Sequence, residues 1–296
     1  MGALFAVAIA TRNRPGHLGR TLDALAAQTD RDFTTTVVDQ SDEPDPAVER
    51  RVAESDRLRV IHDEGRGTSR GRNVAWRELD ADWIVYLDDD CLPEPEWASE
   101  LRKVLAADPP VEFVSGHVGG EEPGGGDYVA VTTLPVDRER TIAGRWVRPY
   151  EVGFGVCMAI RRAALDRLGG WDERLGPGNE DFPASEDMDL NYRLTRSGGA
   201  VLHTPGPRAL HDQWRAPEAL PELYYRYSKG WAGFAVKHMR TGDLRGGLVL
   251  WGARAKGVAK SFGHALRTRS GLRLRIAVRE LRGLAAGTAK ALTRSW

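Results

Sequence analysis

The chain has 296 residues, of which 41% are hydrophobic and 28% are charged, and its 42 basic side chains are matched by 42 acidic ones. This composition is typical of a soluble protein with a sizeable core, and no run of 18 apolar residues is present to span a membrane. Two cysteines, Cys91 and Cys157, offer neither a disulfide framework nor metal-ligand spacing, so a reducing compartment is expected.

The apolar run at residues 4–10 has no basic segment before it and stops at Thr11. It is too short for a membrane span and is typical of a first strand rather than a signal peptide. A cytoplasmic location is therefore expected.

The zero net charge conceals an asymmetry. Residues 241–296 carry twelve Lys and Arg against two acids, whereas the remaining 240 residues carry thirty basic and forty acidic side chains. This contrast indicates that the C-terminal segment meets a different partner from the rest of the chain.

Strand and helix signals alternate along the first 120 residues and resume after residue 155. The predicted strands are Leu4–Ala10, Phe33–Val38, Leu58–His62, Trp83–Leu87 and Val156–Ile160. Helices are predicted around Leu18–Leu25, after Ser69, from Pro95, from Arg161, after Ser185 and beyond Pro217. Alternation with short connections predicts an α/β fold with a mostly parallel central sheet and helices on its faces.

The segment from Gly116 to Pro149 is rich in glycine and has no clear periodicity. It predicts a mobile loop that serves as a lid, and a plain surface excursion is the alternative.

Three aspartates, Asp88, Asp89 and Asp90, follow the apolar run Trp83–Leu87, which is typical of a strand buried on both faces. Alternate residues of an extended chain point the same way, so Asp88 and Asp90 are expected to converge while Asp89 faces away. Carboxylate ligands of this kind suit Mg²⁺ or Mn²⁺ shared with a substrate phosphate. A solvated acidic turn that caps the next helix is the alternative.

Two further polar clusters, Thr11–Arg14 and Asp39–Asp42, also follow predicted strands. Ligands of such sheets bind at the carboxyl ends of the strands. Together with Asp88–Asp90, these clusters predict a binding site at one edge of the sheet.

Six motifs follow one another along the chain: Ala10–Arg14, Val37–Asp42, Gly67–Asn73, Leu87–Asp90, Gly169–Glu173 and Ser185–Leu190 with Arg193, after which comes His211. Their order and spacing resemble the family 2 glycosyltransferases, whose GT-A fold is Rossmann-like. The family usually has proline where this chain has Ala10.

The resemblance covers roughly residues 4–215 and implies a division of the chain. Residues 1–215 are expected to form the GT-A domain, with a nucleotide-sugar-binding half at 1–115 and an acceptor and catalytic half at 150–215. Residues 216–296 are expected to form a basic helical extension.

The resemblance also implies a donor site formed by Thr11, Asn13, Arg14, Asp39, Gly67, Arg72, Asn73, Asp88 and Asp89. In this site Asp39 accepts the imide hydrogen of the base, Asp88 holds the ribose, and Arg72 pairs with phosphate oxygens. Asp89 is the aspartate expected to matter least. The expected donor is a UDP-sugar, with dTDP- and GDP-sugars as alternatives.

Asp88, Asp90 and His211 are implied as metal ligands, with Mg²⁺ or Mn²⁺ as the cofactor. Asp187 is implied as the catalytic base, in the first turn of a helix, where the helix dipole stabilises carboxylates. Asp189 and His203 are expected to be structural. The residues implied to contact the acceptor are Trp171, which would stack on a sugar ring, Asp172 and Glu186.

The implied activity is inverting transfer of a sugar from a nucleoside-diphosphate sugar to a hydroxyl group. The expected acceptor is a glycan, a lipid-linked glycan or a secondary metabolite, as in polysaccharide biosynthesis, and no nucleic-acid partner is expected. A sugar-phosphate nucleotidyltransferase and a non-catalytic nucleotide-sugar-binding module are the alternatives.

The C-terminal segment is predicted to contain a helix with an apolar face flanked by arginines. That face comprises Leu274, Val278, Leu281, Ala285, Thr288 and Leu292. Such a helix suits the anionic inner surface of a cell membrane, and the alternative is packing on the body or on a second subunit.

Overall fold

The computed structural model describes residues 3–120 and 129–296. Its strands are β1 (Ala3–Thr11), β2 (Thr35–Asp39), β3 (Leu58–His62), β4 (Ala81–Asp88), β5 (Cys91–Pro93), β6 (Phe113–Gly120), β7 (Val129–Ala130), β8 (Arg140–Ile142), β9 (Cys157–Arg161), β10 (Val201–His211) and β11 (Trp214–Arg215). Its helices are α1 (Pro15–Ala26), α2 (Pro46–Ala53), α3 (Thr68–Glu78), α4 (Trp97–Ala106), α5 (Pro149–Val152), α6 (Arg162–Leu168), α7 (Glu186–Arg196), α8 (Leu220–Arg240), α9 (Leu244–Thr268) and α10 (Gly271–Thr293), with a 3-10 turn at Pro217–Ala219.

The main sheet has the strand order β3-β2-β1-β4-β9-β6-β10-β5, and β8 also pairs with β10. Strands β1 to β4, β6 and β10 run in one direction, while β5, β8 and β9 run against them. The predicted α/β fold with a mostly parallel sheet is confirmed, and all five predicted strands are present with ends shifted by at most two residues.

The core lies on both faces of this sheet because successive side chains of a strand point to opposite faces. In β1, Phe5, Val7 and Ile9 join a cluster with residues of α1 and α4. Ala6 and Ala8 join a second cluster with residues of α3 and α6. Small side chains on one face and large ones on the other therefore set how closely each helix layer approaches β1.

The predicted loop at 116–149 is wrong in part. Gly116 lies inside β6, and the segment also contains β7 and β8, while residues 121–128 lie outside the described residues. A Cβ on Gly116 would lie 2.2 Å from the carbonyl oxygen of Pro207, beside the irregularity in β10 between His203 and Arg208. Gly116 is thus required by close approach of two strands, which local sequence does not distinguish from a loop. Helix α4 also begins two residues later than predicted, at Trp97.

The chain divides into two compact units. The first contains the N-terminal part up to Gly120 together with residues 130–171 and 190–213, and the second contains residues 172–189 and 214–296. The segment that carries Asp187 therefore groups with the helices that follow residue 214.

Within the second unit, α10 packs along α8 through small residues. Its buried positions are Ala277, Glu280, Gly283, Leu284, Gly287 and Ala291. Three residues of the predicted apolar face, Leu274, Leu281 and Leu292, are exposed. The helix–helix contact is thus made by the small-residue face, and this leucine row stays outside. No helix within residues 3–120 and 129–296 combines the length and hydropathy needed to cross a bilayer.

Candidate active site

Four polar side chains mark one edge of the main sheet. Thr11, Asp39, Asp88 and His211 are the last residues of β1, β2, β4 and β10, which all run in the same direction. The structure therefore brings the three sequence-predicted clusters to the same edge and adds His211 from a strand more than a hundred residues away.

An open cleft of about 500 Å³ lies at the ends of β1 and β2. Its lining includes Thr11, Asn13, Arg14 and Asp39, four of the residues predicted for the donor. Asp39 is buried, and its Oδ1 accepts a hydrogen bond from the N–H of Ser41 at 2.9 Å.

The rim of this cleft is shaped by Asn13, whose backbone has a φ of +54°. Asparagine adopts this left-handed conformation more readily than most residues. The Asn13 N–H donates to Ser41 Oγ at 2.8 Å, and its side-chain amide donates to Asp42 at 2.7 Å. Asn13 therefore ties the chain after β1 to the chain after β2.

The expected alternation of the three aspartates is wrong because β4 ends at Asp88 and the next two residues form a turn. Asp89 and Asp90 both bind the guanidinium of Arg14, which lies 2.7 Å from Asp90 Oδ2. Asp89 also accepts a hydrogen bond from Thr11 Oγ1 at 2.6 Å, and its own carbonyl accepts one from Thr21 Oγ1 at 2.8 Å. Asp89 is thus a structural anchor of the turn.

The surroundings of Asp89 favour its protonated form. Burial is the largest influence and raises the pKa of the Asp89 carboxyl to about 7, against the charge of Arg14 and the hydrogen bond from Thr11.

Asp90 and His211 form a buried pair. His211 Nε2 lies 3.1 Å from Asp90 Oδ1, while Gln213 Nε2 donates to Asp90 Oδ2 at 3.0 Å. Burial opposes ionisation of Asp90, but His211 and Arg14 outweigh it and hold the pKa of this carboxyl below its ordinary value. Burial lowers the pKa of His211, and the hydrogen bond and charge of Asp90 more than reverse that effect.

These two residues fit a divalent cation. A carboxylate and an imidazole are accepted ligands of Mn²⁺, and His211 Nδ1 lies 3.2 Å from the carbonyl oxygen of Thr132, the kind of contact that orients imidazole ligands. Ligand atoms of Asp90, Cys91 and His211 lie within 4.8 Å of one another. Burial raises the pKa of the Cys91 thiol well above its ordinary value, so Cys91 stays protonated and suits a hard cation poorly.

Arg72 orients the Asp88 carboxylate through a direct contact. Its Nη2 lies 2.7 Å from Asp88 Oδ1 and donates to the carbonyl of Gly155 at 3.0 Å, while its guanidinium lies 4.5 Å from the ring centroid of Trp171. A Cβ on Gly155 would lie 2.7 Å from this guanidinium. Arg72 is only 3% exposed and is held by Asp88 and Gly155, while its predicted pairing with phosphate oxygens stays a prediction.

Trp171 is also 3% exposed, and its ring packs edge-on against Tyr86 with centroids 5.1 Å apart. Stacking of a sugar on this ring, which the sequence predicted, is therefore not supported. Asn73 holds the backbone of Trp171 by donating to its carbonyl at 2.9 Å and accepting from its N–H at 2.8 Å. These two hydrogen bonds give Asn73 a structural role, and its predicted donor contact stays a prediction.

Gly67 precedes α3 with a φ of +113°, a conformation that favours glycine. It sets the direction in which the helix with Arg72 and Asn73 begins. His203, predicted to be structural, is buried against the carbonyl of Val152 at 2.6 Å, and burial lowers its pKa.

The second unit carries the predicted catalytic base. Ser185, with a φ of +75°, turns the chain into α7, so Glu186 and Asp187 are the first two residues of that helix. Asp187 is partly exposed and its Oδ1 accepts a hydrogen bond from the N–H of Met188 at 2.7 Å, whereas Glu186 is buried.

The predicted acceptor residue Asp172 is paired within the second unit. Lys237 Nζ lies 2.6 Å from Asp172 Oδ2, and Arg174 donates to both Asp172 oxygens at 2.8 and 2.7 Å. Burial acts against ionisation, but these partners lower the pKa of Asp172 to about 2.

Sequence reasoning missed Gln213, Thr132, Lys237 and His238. Gln213 could have been found, because it lies two residues beyond His211 and so on the same face of an extended chain. The backbone carbonyl of Thr132 and the buried side chains of Lys237 and His238 in α8 have no local signal.

The open cleft and the acid–histidine pair lie at the carboxyl edge of a mostly parallel α/β sheet, a fold shared with solved GT-A glycosyltransferases. The family model described as Glycosyl transferase family 2 matches residues 6–169, more than half of the chain. The chain belongs to glycosyl transferase family 2.

Individual similar proteins agree with this assignment. An uncharacterized glycosyltransferase of Haemophilus influenzae is 24% identical over 257 residues, covering 83% of this chain and 83% of that protein. The N-acetylglucosaminyl-diphospho-decaprenol L-rhamnosyltransferase of Mycobacterium tuberculosis is 27% identical over 239 residues, covering 69% of this chain and 75% of that protein.

Among solved structures, a mannosyltransferase of Pyrobaculum calidifontis in complex with GDP-Man and Mn²⁺ aligns with a TM-score of 0.63 and 18% identity. The alignment covers 99% of this chain and 88% of that one, and it shows a shared fold.

Proposed function

We propose that the protein is an inverting, metal-dependent glycosyltransferase that moves a sugar from a nucleoside-diphosphate sugar to a hydroxyl acceptor. The observation that carries the proposal is the buried pair of Asp90 and His211 beside the cleft that contains Asp39. The mannosyltransferase of Pyrobaculum calidifontis, which shares the fold and binds GDP-Man and Mn²⁺, supports a divalent cation and a nucleotide-sugar donor.

In this proposal the cleft holds the nucleoside. Asp39 accepts the imide hydrogen of the base, and Thr11 and Asn13 line the pocket. Asp88 binds the ribose, with its orientation fixed by Arg72. A UDP-sugar is the proposed donor, with dTDP- and GDP-sugars as alternatives.

Asp90 and His211 would hold the metal, with Asp88 as a further ligand. Arg14, which binds Asp90 Oδ2 and lines the cleft, would supply a cation for the phosphate oxygens of the donor. The bound metal supplies Lewis-acid stabilisation of the departing diphosphate.

Asp187 acts as the general base. It takes the proton of the acceptor hydroxyl as that oxygen forms the new bond to the anomeric carbon, and the bond from that carbon to the diphosphate breaks. A single displacement of this kind inverts the anomeric centre. The partial exposure of Asp187 in the first turn of α7 supports this role.

The proposal is tested with Asp187→Asn. Sugar transfer should fall by at least about 10²-fold, the lower range for loss of a general base. Binding of Mn²⁺ with a nucleoside diphosphate, followed calorimetrically, should stay unchanged. Asp90→Asn should instead weaken that binding, and Asp82→Asn, at an exposed position in β4, should alter neither. Full transfer by Asp187→Asn would refute the assignment of the base.

We further propose that the acceptor is reached at an anionic membrane surface through the outer face of α9. This face is exposed and contains Leu248, Val249, Lys256, Lys260, Leu266 and Arg267. Residues 244–279 contain nine Lys and Arg and no Asp or Glu. The lipid-linked acceptor in the name of the Mycobacterium tuberculosis rhamnosyltransferase supports this location.

Vesicle flotation tests the membrane proposal. The wild type should float with phosphatidylglycerol vesicles and not with phosphatidylcholine vesicles. Neutralising Lys256, Lys260 and Arg267 together to Gln should weaken binding about 100-fold, since each cation near an anionic surface contributes about 1 kcal/mol. Neutralising three exposed cations elsewhere, Arg50, Arg77 and Lys103, is the control. Equal flotation on both lipids, or self-association in place of flotation, would overturn the proposal.

A further inference from the structure

The segment at residues 172–189, here called the base segment, carries Glu186 and Asp187 and is held by helices α8 and α10. Its first residue, Asp172, and its last, Asp189, both bind one side chain of α8. Lys237 Nζ lies 2.6 Å from Asp172 Oδ2 and 2.7 Å from Asp189 Oδ1. One ammonium group therefore closes the base segment at both ends.

This closure is buried and is reinforced by neighbours. Asp189 is fully buried, and Lys237 is 7% exposed. His238 Nε2 lies 2.9 Å from the same Oδ1 of Asp189, while Arg174 binds the Asp172 carboxylate inside the segment. The charges of the two carboxylates are thus matched by Lys237 of α8 and by Arg174 of the segment itself.

The middle of the base segment is held separately. Phe182 packs on Gly233 of α8, where an added Cβ would lie 2.2 Å from the ring, and stacks on Trp296 with centroids 5.2 Å apart. Asp181 binds Arg294, and Lys290 lies 3.1 Å from the same carboxylate. Residues at and after the end of α10 therefore complete the support.

A buried lysine with two carboxylates is a poor way to gain stability alone, because well-packed apolar residues of similar volume often do as well. An ion cluster of this kind fixes the orientations of its side chains, since each hydrogen bond constrains both the donor and the acceptor. Asp189 follows Asp187 by two residues in the first turn of α7. What fixes Asp189 also fixes the direction in which the Asp187 side chain leaves the helix.

We infer that Lys237 is a positioning residue for catalysis. It holds the two ends of the base segment so that Asp187 is presented in one orientation, with Phe182 and Trp296 as the second support. The inference rests on the proposed role of Asp187 as the base. On this view the C-terminal helices are part of the catalytic apparatus in addition to offering a membrane-facing surface.

Steady-state kinetics of Lys237→Met and Lys237→Arg, with Lys103→Met at an exposed position of α4 as the control, tests the inference. Lys237→Met should lower kcat about 10²-fold, the loss that misplacement of a catalytic group by about 1 Å brings. Its donor KM and its binding of Mn²⁺ with a nucleoside diphosphate should change less than about twofold. Lys237→Arg can still bridge both carboxylates and should recover most of kcat.

Trp296→Ala removes the second support without leaving a buried charge unpaired, so it tests the inference even if Lys237→Met fails to fold. It should also lower kcat and leave nucleotide binding unchanged. Adding Lys237→Met or Trp296→Ala to Asp187→Asn should cause no further loss.

The outcomes separate the two claims. Absence of transfer by the wild type from every nucleoside-diphosphate sugar overturns the proposed function, and full transfer by Asp187→Asn overturns the assignment of the base and the positioning role with it. Loss of transfer in Asp187→Asn, together with wild-type kcat in folded Lys237→Met or in Trp296→Ala, overturns the positioning role alone. A loss of nucleotide binding that parallels the loss of kcat also overturns it.

Discussion

The contact between α8 and α10 is close enough that one methyl group should separate the two helices. A Cβ on Gly287 would lie 2.3 Å from the carbonyl oxygen of Lys229 and 2.9 Å from Cβ of Ala232. The first of these atoms belongs to the backbone, so no rotamer change can relieve the collision. Gly287→Ala must therefore push the helices apart or distort one of them.

The free energy of unfolding should fall by about 2 kcal/mol in Gly287→Ala. Overpacking of a well-packed contact costs typically about 1–3 kcal/mol, and a backbone collision belongs at or above the upper end. Replacing glycine by alanine inside a helix by itself raises the free energy of unfolding by about 1 kcal/mol, which offsets part of this cost. The matched control is Gly252→Ala in α9, where nothing lies within 4 Å of the added Cβ, and it should raise stability by about 1 kcal/mol.

Urea unfolding followed by tryptophan fluorescence measures both variants against the wild type. The free energy of unfolding should fall in Gly287→Ala and rise in Gly252→Ala. Gly283→Ala should behave like Gly287→Ala because its Cβ would lie 2.3 Å from the carbonyl oxygen of Tyr225. If Gly287→Ala is stabilised as much as Gly252→Ala, α8 and α10 do not approach as described and the support assigned to the base segment loses its basis.

Two further predictions concern buried polar groups. Asn73→Ala should lower the free energy of unfolding by about 2 kcal/mol in urea titrations, because the N–H and the carbonyl of Trp171 each lose a buried partner. An unchanged urea midpoint would contradict these two hydrogen bonds. Asp172→Asn should cost about 2 kcal/mol at neutral pH, since Arg174 and Lys237, acting against burial, lower the pKa of Asp172 from its ordinary 3.8 to about 2. The stabilisation from a lowered carboxylate pKa is complete above the unfolded pKa and is lost as pH falls through the folded pKa. Urea titrations at several pH values should therefore show the difference from wild type shrinking as pH falls from 3.8 towards 2, and a difference that grows would refute this reasoning.

Local sequence determined much of the fold and of the polar cluster at the sheet edge. Strand β4 was predictable because an uninterrupted apolar run with acids after it is a short-range pattern. Thr11, Asp39 and Asp88 could be assigned to one sheet edge because parallel strands place their carboxyl ends together. The motif order then identified the family, which the family comparison confirmed.

Other features of the site depended on contacts that no local pattern encodes. The orientation of Asp89 was mispredicted because β4 ends at Asp88, and Arg14 then draws both following acids to one side. Trp171 looked like an acceptor platform, yet its burial is decided by Tyr86 and Arg72, which come from distant parts of the chain.

The Asp88–Asp90 triplet and the order of the motifs were thus determined by the sequence itself, since strand ends and short motifs are properties of neighbouring residues. Only the tertiary structure paired Asp90 with His211 across 121 residues and brought Lys237 to both ends of the base segment. Such long-range pairs depend on how packed helices and strands approach one another, as at Gly283 and Gly287, and that is fixed by the whole core at once.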